Sequence, residues 1–331
     1  MTLQTEAYER QLDEAKTFIE QYDRFLVVSH VHPDGDAISS TLTVGYLLHQ
    51  LGKTYTLVNA DPIPGKFSFL WGSDSIQRPQ DLVSKEPFDY IIAVDCADYS
   101  RIGSAAERFS ERAQILNIDH HPTNDHYGHC HLIRPEAAAT AEVLYDLLKR
   151  FELKWGLDLA QCVYTGILTD TGGFRYANTS PRVMEIASEL LSYGVNAHEM
   201  AEMLLEKRTL SHIKLLQKAL ATLSFSPDRK ISWMVLSLED LKSAGGSNED
   251  VEGLVNYPRN IEGVEVGILF REVDENEVKI SLRSAGKVDV AHIAKCFNGG
   301  GHVRAAGATV KKPLEETIAS VVDQVKQVLK G

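Results

Sequence analysis

The densest group of potential metal ligands lies in residues 29–40, SHVHPDGDAISS. His30, Asp34 and Asp36 follow an apolar run that predicts a strand, and the proline and glycine between them favour a sharp turn. Three ligand-bearing side chains can converge in such a turn instead of alternating across a strand. The ordinary alternative is a Pro-Asp-Gly turn in which Asp36 caps the next helix. This segment alone does not separate the two interpretations.

Three further segments place Asp or His where a predicted element ends. Asp95 ends the apolar run FDYIIAVD, and Asp170 precedes two glycines. Asp119 is followed directly by His120 and His121. A lone Asp in such a place is often a turn residue, but two adjacent imidazoles need partners when they leave water. We predict that Asp119 orients His120, since ligating imidazoles usually donate their second N–H to a carboxylate or carbonyl.

The four segments together predict a metal site. Carboxylates that crowd together repel one another strongly unless cations lie between them. Carboxylate and imidazole ligands without thiolates suit Mn²⁺, Fe²⁺, Co²⁺ or Mg²⁺ better than structural zinc. The segments offer more ligands than one ion usually takes from a protein. We therefore predict two divalent metal ions bridged by a carboxylate.

Predicted strands and helices alternate in the first half of the chain. This pattern predicts an α/β fold with a doubly wound, mainly parallel sheet. Ligands bind beyond the carboxyl ends of the strands in such sheets, which is where these Asp and His residues fall. The predicted strands span residues 25–30, 53–59, 88–95 and 114–119, and the predicted helices span residues 6–22, 37–51 and 135–151.

The pattern changes after residue 194. A long helical stretch at 196–223 is followed by strand-like runs, a helix, the sequence Asn-Gly-Gly-Gly-His and a closing helix. We predict a smaller α/β domain in this part of the chain. The predicted organisation is a metal-binding catalytic domain at 1–195, a helical linker at 196–215 and a C-terminal domain at 216–331.

Charge and composition narrow the class of protein. The net charge of −12 over 331 residues argues against a protein that grips long nucleic acid through many phosphates. Residues 210–331 are neutral overall, so the acidic excess lies in the first part, where it could hold cations or simply form a solvated surface. Four scattered cysteines predict neither disulfides nor a thiolate zinc site. The polar N-terminus and the lack of a long apolar run predict a cytoplasmic protein without membrane contacts.

The ordered motifs resemble those of the DHH phosphoesterase superfamily. The matching segments are HVHPDGDAISS, AVDCAD, DHH followed by PTND, and TDTGGFRYANTS. The segment NGGGHVRAAG resembles the signature of the DHH-associated C-terminal domain of the first type, which binds nucleotides. Within the superfamily the chain is most similar to the nanoRNase and pAp phosphatase group. The resemblance implies a manganese-dependent phosphoesterase that cuts short oligoribonucleotides to mononucleotides and converts pAp to AMP.

The resemblance also implies roles for individual residues. The first Mn²⁺ would be bound by His30, Asp34 and Asp95. The second would be bound by Asp36, His120, Asp170 and the same Asp95, which bridges the two ions. The implied catalytic residues are Asp95, His120 and His121, with His121 facing the scissile phosphate. A hydroxide activated by both ions would attack the phosphorus in line.

Substrate-binding residues are expected in both parts of the chain. They are Arg101, Arg283, Gly299, Gly300, Gly301, His302 and Arg304. The glycines would let backbone N–H groups approach a phosphate closely. Arg283 is the candidate clamp because a guanidinium pairs with phosphate in a bidentate manner, and an ordinary strand arginine is the alternative. Arg304 departs from the residue expected at its position in this group, but it would supply positive charge.

The expected partners are short RNA oligonucleotides, pAp or related nucleotides, without long duplexes, and a homodimer is left open. Two other functions remain. One is a phosphodiesterase of cyclic dinucleotides or of linear pApA, which would use the same site. The other is a non-catalytic nucleotide-binding regulator, although no expected metal ligand is replaced here. An NAD-linked enzyme is disfavoured because no Gly-x-Gly-x-x-Gly motif follows the first strand.

Overall fold

Two six-stranded sheets organise the chain, one in each of the units Met1–Lys207 and Arg208–Gly331. The computed structural model describes residues 3–330. Each unit has its own apolar core. The predicted α/β fold class is confirmed.

The first sheet consists of parallel strands. They are β1 (Phe25–Val28), β2 (Tyr55–Val58), β3 (Ile76–Gln77), β4 (Phe88–Val94), β5 (Phe109–Asp119) and β6 (Cys130–Ile133). Their spatial order is β3-β2-β1-β4-β5-β6. The helices of this unit are α1 (Leu3–Gln21), α2 (Gly35–Gln50), α3 (Thr140–Leu148), α4 (Leu157–Asp170), α5 (Pro181–Ser192) and α6 (Ala197–Ala201), with 3₁₀ turns at Tyr99–Arg108.

Alternate residues of the central strands face two different apolar layers. In β1, Phe25 and Val27 pack into the larger layer, which includes α1 to α5, whereas Leu26 and Val28 pack into the layer on the other face. All four side chains are completely buried. Burial of one such side chain stabilises the fold by ~1.5–3 kcal/mol. A sheet covered on both faces explains why its strands are continuous apolar runs in the sequence.

The strand order places a crevice at the carboxyl ends of β1 and β4. From β1 the chain proceeds outward through β2 and β3 on one side, and from β4 it proceeds through β5 and β6 on the other. Doubly wound sheets bind ligands where the strand order reverses in this way. His30 follows β1 and Asp95 follows β4, so both residues lie at this crevice.

The helix predicted at 135–151 begins later than expected, at Thr140. Its alanine-rich first residues favour helix by propensity. They form a turn instead, in which the Ala138 N–H donates to the Glu142 carboxylate at 2.7 Å. The turn leaves the first N–H groups of α3 free to meet a side chain from another element.

Two glycines allow α2 to lie close to α4. A Cβ on Gly35 would lie 2.4 Å from the Thr169 hydroxyl oxygen, and a Cβ on Gly166 would lie 2.5 Å from Asp36 Oδ1. No larger side chain fits at either position without displacing a neighbour. Because α2 carries Asp36 and α4 ends at Asp170, this close approach positions two of the predicted ligands.

The second sheet is mixed. Its strands are β7 (Ser224–Phe225), β8 (Ile231–Leu236), β9 (Val266–Asp274), β10 (Glu277–Ser284), β11 (Gly300–His302) and β12 (Ala305–Val310). They lie in the order β11-β12-β10-β9-β8-β7, antiparallel except for the β8–β9 pair. The helices are α7 (Leu210–Ala221), α8 (Leu238–Ala244), α9 (Asn256–Arg259), α10 (Val290–Lys295) and α11 (Leu314–Lys330).

The long helical stretch predicted at 196–223 is interrupted. The helix α6 continues into a π-helical turn at Glu202–Glu206, and α7 begins after Thr209. Thr209 is extended, and its hydroxyl accepts the His212 N–H at 2.9 Å, so it caps a new helix. Among residues 3–330, no helix has both the length and the apolar content that a membrane span requires.

Candidate active site

The turn after β1 carries two aspartates, Asp34 and Asp36, whose side chains have different hydrogen-bond partners. Asp34, not Asp36, caps α2, because its side chain accepts the N–H groups of Asp36 and Ala37. The alternative in which Asp36 caps the helix is therefore wrong. The Asp36 carboxylate, which is completely buried, instead accepts the N–H groups of Thr140 and Ala141 at 2.5 and 3.0 Å. A carboxylate at the N-terminus of α3 is also favoured by the helix dipole.

Asp95 is held in an unusual backbone conformation directly after β4. Its φ of 51° lies in the left-handed region that side chains other than glycine rarely adopt. The residue is 2% exposed, and its Oδ1 accepts a hydrogen bond from the Thr140 hydroxyl at 2.9 Å. Such strain persists only where surrounding contacts fix it, and it is concentrated at functional sites.

The two adjacent histidines after β5 have different partners. His120 Nδ1 lies 3.2 Å from the Ala137 carbonyl oxygen, and His121 Nδ1 lies 2.7 Å from Asp119 Oδ1. The prediction that Asp119 orients His120 is therefore wrong. The side chain alternates direction along an extended strand end, so Asp119 and His121, two residues apart, lie on the same side.

Six predicted ligands converge in one pocket, which we call the metal pocket. His30 Nε2 lies 3.9 Å from Asp34 Oδ2 and 3.5 Å from Asp95 Oδ2. His120 Nε2 lies between 3.3 and 4.0 Å from carboxylate oxygens of three aspartates. Those three are Asp36, Asp95 and Asp170. Candidate ligand atoms within each of two triads, His30–Asp34–Asp95 and Asp36–His120–Asp170, lie within 4.8 Å of one another.

The histidines of the metal pocket are oriented as ligands. A carbonyl oxygen accepts from Nδ1 in both cases: Val31 at 2.7 Å for His30 and Ala137 for His120. Each Nδ1 therefore carries a proton, and each Nε2 is directed at the aspartates. This arrangement, with one nitrogen bonded to a carbonyl and the other directed inward, is typical of metal-ligating histidine.

Electrostatics also favour cations in the metal pocket. Burial raises the pKa of Asp36 well above its ordinary value, and the nearby charges of Asp95 and Asp34 raise it further. The burial of its carboxylate and the charge of Asp36 raise the pKa of Asp170 in the same way. These carboxylates therefore ionise at a cost that divalent cations between them would remove. The donor set of the pocket fits the implied metals.

Histidines offset the negative charge on one side of the pocket. Burial alone would raise the pKa of Asp95, but the hydrogen bond from His30 and the charge of His121 lower it overall. Burial would lower the pKa of His121, but the hydrogen bond to Asp119 and the charge of Asp95 raise it to about 9. Asp119 and Asp95 therefore favour the protonated form of His121.

Several positioning residues escaped the sequence analysis. The Thr140 hydroxyl contacts Asp95, and the Asn178 amide donates to the carbonyl oxygens of Ala138 and Asp170 at 3.1 Å. Asn124 Nδ2 donates to Asp119 Oδ2 at 2.6 Å. Asn124 lies in the motif PTND and Asn178 in the motif TDTGGFRYANTS, so their place in these motifs could have indicated a role in the site. Thr140 stands in an alanine-rich helix and gave none.

Arg101 lies beside the first histidine. Its Nη2 lies 3.1 Å from His30 Nδ1, and its backbone carbonyl accepts the Val31 N–H at 2.7 Å. The 3₁₀ segment that carries Arg101 is capped by Asp98. The residue therefore lies at the edge of the metal pocket, where its substrate-binding role stays a prediction.

The other predicted substrate-binding residues lie in the second unit. The predicted glycine loop is a short edge strand, because Gly300, Gly301 and His302 pair with β12. The glycines of this edge strand have no side chain, so a phosphate can approach their backbone closely. Arg283 belongs to β10, and Arg304 follows β11, with its guanidinium beside Gly286.

Two family models match this chain. The DHH family, N-terminal domain, matches residues 24–167, and the DHHA1 domain matches residues 230–331. The bifunctional oligoribonuclease and PAP phosphatase NrnA of Thermus thermophilus is 38% identical over 92% of this chain and 89% of its own length. The protein of that name from Bacillus subtilis is 29% identical over 88% of this chain and 91% of its own.

Solved structures share the fold. An exopolyphosphatase-related protein from Bacteroides fragilis is similar with a TM-score of 0.88 at 28% identity, over 97% of this chain and 96% of its own. The structure of RecJ with Mn²⁺ from Thermus thermophilus has a TM-score of 0.56 at 14% identity, over 97% of this chain and 54% of its own. The chain therefore belongs to the DHH family of phosphoric ester hydrolases and carries a DHHA1 domain.

Proposed function

We propose that this protein hydrolyses short oligoribonucleotides to mononucleotides and pAp to AMP, using two Mn²⁺ ions in the metal pocket. The observation that carries the proposal is the convergence of two ligand triads at the reversal point of the parallel sheet. The names of the relatives from Thermus thermophilus and Bacillus subtilis support the choice of substrates.

The ligand sets of the two proposed ions share one carboxylate. His30 and Asp34 belong to the first ion and Asp36, His120 and Asp170 to the second. Asp95 is the proposed bridge, since its two oxygens face different histidines: Oδ2 lies near His30 and Oδ1 near His120. When bound, the two ions would activate a water molecule as nucleophile and neutralise the charge that develops on the phosphorus.

His121 is the proposed general acid. We assign it to the substrate side of the pocket instead of to an ion, and its Nδ1 lies 2.7 Å from Asp119 Oδ1. The Asp119 carboxylate is itself held by Asn124, so the imidazole ring has a fixed orientation. Because Asp119 stabilises the protonated imidazole, His121 can donate a proton to a leaving ribose oxygen.

Contacts at the start of α3 hold two aspartates of the metal pocket in place. The N–H groups at the start of α3 bind Asp36, and the Thr140 hydroxyl binds Asp95, so one helix N-terminus fixes two aspartates. Fixed ligands and charge of this kind place the reacting groups before substrate arrives. In the second unit, Arg283, Arg304 and the backbone of Gly300 and Gly301 are the proposed phosphate contacts.

The test is turnover of defined substrates by purified protein with and without Mn²⁺. A panel of di- to pentaribonucleotides, pAp, linear pApA and cyclic di-AMP separates the proposed activity from its alternatives. We expect mononucleotides from the oligonucleotides and AMP from pAp, both requiring Mn²⁺. Exclusive cleavage of cyclic di-AMP or pApA would assign the alternative phosphodiesterase. Tight nucleotide binding without phosphate or mononucleotide release would reveal a regulator and overturn the proposal.

A further inference from the structure

The second sheet has one covered face and one partly open face. On the covered face, Ile280 and Leu282 of β10 pack with apolar residues of α10 and α11. The other face of β10 carries Lys279, Ser281 and Arg283, since side chains alternate along a strand. The helices α7 to α9 cover this face over β8 and β9, so Lys279 remains exposed and Ser281 and Arg283 partly exposed.

Cations cluster on the partly open face. Arg271 of β9 stands directly opposite Lys279 of β10 in the antiparallel register. Like charges in this position destabilise a strand pair. Farther along the same pair, Arg283 stands opposite Gly267, over which Arg259 packs so closely that a Cβ on Gly267 would lie 2.3 Å from its backbone nitrogen. The Arg259 Nε is buried and has no hydrogen-bond partner within the described residues.

Arg271 is a buried cation without a carboxylate. The residue is 8% exposed, and its Nη1 donates to Asn248 Oδ1 at 2.5 Å. Within residues 3–330, no acidic side chain forms an ion pair with Arg271 or Lys279. Burial lowers the pKa of Arg271, and the partial burial of Lys279 and the charge of Arg271 lower the pKa of Lys279. A buried charge is normally paired, so Arg271 lacks its anion.

The surroundings suit a chain of phosphates. The floor between the cations is built from the small residues Ser281, Gly307 and Ala305, which lie side by side in β10 and β12. Lys279 and Arg283 are four residues apart on one strand, which places their Cα atoms about 13 Å apart. A single nucleotide does not span that distance between its phosphates, but an oligonucleotide backbone does.

We propose that Arg271, Lys279 and Asn248 form a second phosphate subsite that binds a phosphodiester of an oligonucleotide whose other end lies at Arg283. The subsite rests on the proposed function for its substrate class. It distinguishes oligonucleotides of several residues from pAp, which is too short to reach both groups of cations. Arg271 and Lys279 supply charge-assisted hydrogen bonds to phosphate oxygens, and Asn248 holds the guanidinium in place.

Lys279→Gln is the variant that tests the subsite, because the exposed side chain is not needed for folding. We expect the ratio of kcat/KM for a pentaribonucleotide to that for pAp to fall about tenfold, equivalent to ~1.4 kcal/mol. The loss should appear in KM more than in kcat. Lys279→Arg should restore most of the ratio. Lys326→Gln, on the helix α11 that covers the opposite face, removes the same charge and serves as the control.

Equilibrium binding provides a readout that does not require turnover. A hydrolysis-resistant pentanucleotide should bind Lys279→Gln with a salt dependence reduced by about 0.7 in the slope of log K against log salt, since one phosphate contact is lost. An unchanged slope, or an equal loss for pAp and pentanucleotide, would overturn the subsite. If the wild-type protein hydrolysed neither substrate, the proposed function would fail. The salt slope would still decide whether the subsite exists.

Discussion

The metal pocket and the partly open face of the second sheet carry clusters of charge of opposite sign. In the first unit, Asp36 and Asp95 are buried together, and in the second unit a buried Arg271 faces Lys279. Each region crowds charges of one sign and lacks sufficient opposite charge from the protein itself. Where the fold maintains charge that the protein itself does not neutralise, we expect a ligand of opposite charge. The expected ligands are cations in the metal pocket and phosphates on the partly open face of the second sheet.

The two regions differ in how firmly they hold their charges. Two oxygens of Asp36 accept backbone N–H groups, and Asp95 accepts a buried hydroxyl. Arg271 has one side-chain amide as its hydrogen-bond partner among the described residues, and Lys279 reaches solvent. We therefore expect substitutions in the metal pocket to change the chemical step and substitutions on the sheet face to change substrate preference.

The largest effect should come from Asp95→Ala, which removes the proposed bridge between the metal ions. Because metal ions supply several kcal/mol of transition-state stabilisation, kcat should fall by about 10³-fold or more at saturating Mn²⁺. Circular dichroism should show an intact fold. Asp74→Ala, an exposed aspartate of the same unit, serves as the control. Near-normal turnover of Asp95→Ala with added Mn²⁺ would contradict the two-metal proposal.

Thr140→Val should weaken the metal pocket without removing a ligand. The substitution keeps the side-chain shape but deletes the hydroxyl that donates to Asp95. Loss of such an outer contact typically costs 10–100-fold in metal affinity or activity. A Mn²⁺ titration of activity should show a higher half-saturating concentration. Thr165→Val deletes a buried hydroxyl that donates only within α4, so equal effects from both variants would argue against a positioning role for Thr140.

Adjacent glycines of the second unit should respond differently to alanine. A Cβ at position 299 would lie 2.2 Å from the Gly307 carbonyl oxygen, whereas a Cβ at Gly300 would meet no atom within 4 Å. Gly299→Ala should therefore destabilise the second unit by ~1–3 kcal/mol, as overpacking does, and Gly300→Ala should not. Urea unfolding followed by tryptophan fluorescence measures both. Equal stability of the two variants would show that the backbone at Gly299 can shift to accommodate a Cβ at little cost in free energy.

The smallest effect sharpens the comparison by supplying the missing charge. Asn248→Asp places a carboxylate beside Arg271, and a charged partner strengthens the hydrogen bond by about 1 kcal/mol. We expect the second unit to become more stable and to bind a pentanucleotide more weakly. Unfolding and anisotropy titrations test the two changes. A variant that is stabilised and still binds normally would separate the buried charge from ligand binding.

The convergence of the six candidate ligands could be predicted from sequence because each stands near the end of a predicted strand or helix. His30 and Asp95 follow uninterrupted apolar runs, and parallel strands bring their carboxyl ends to one edge. The roles within the pocket were less legible. Whether Asp34 or Asp36 caps α2, and which histidine Asp119 holds, depends on side-chain directions that spacing does not determine.

Other features depend on contacts between distant segments. The late start of α3 results from bonds to Glu142 and from the Asp36 carboxylate of another helix, which outweigh the propensity of an alanine-rich run. Arg271 gave no signal, because an arginine in an alternating strand is ordinary unless its cross-strand neighbour is known. The division of the chain near residues 196–215 and the use of Mn²⁺ stay predictions.

Asp95 adopts a backbone conformation that glycine or asparagine would accept with less strain, at a cost of the order of 1–3 kcal/mol for such a residue. A substitution of Asp95 that raises the thermal stability is therefore expected to remove the proposed activity. A laboratory selection for thermal stability alone should recover Asp95→Gly or Asp95→Asn among its most stable variants. These variants should lack phosphoesterase activity. Engineering of this scaffold should leave residue 95 fixed and seek robustness elsewhere.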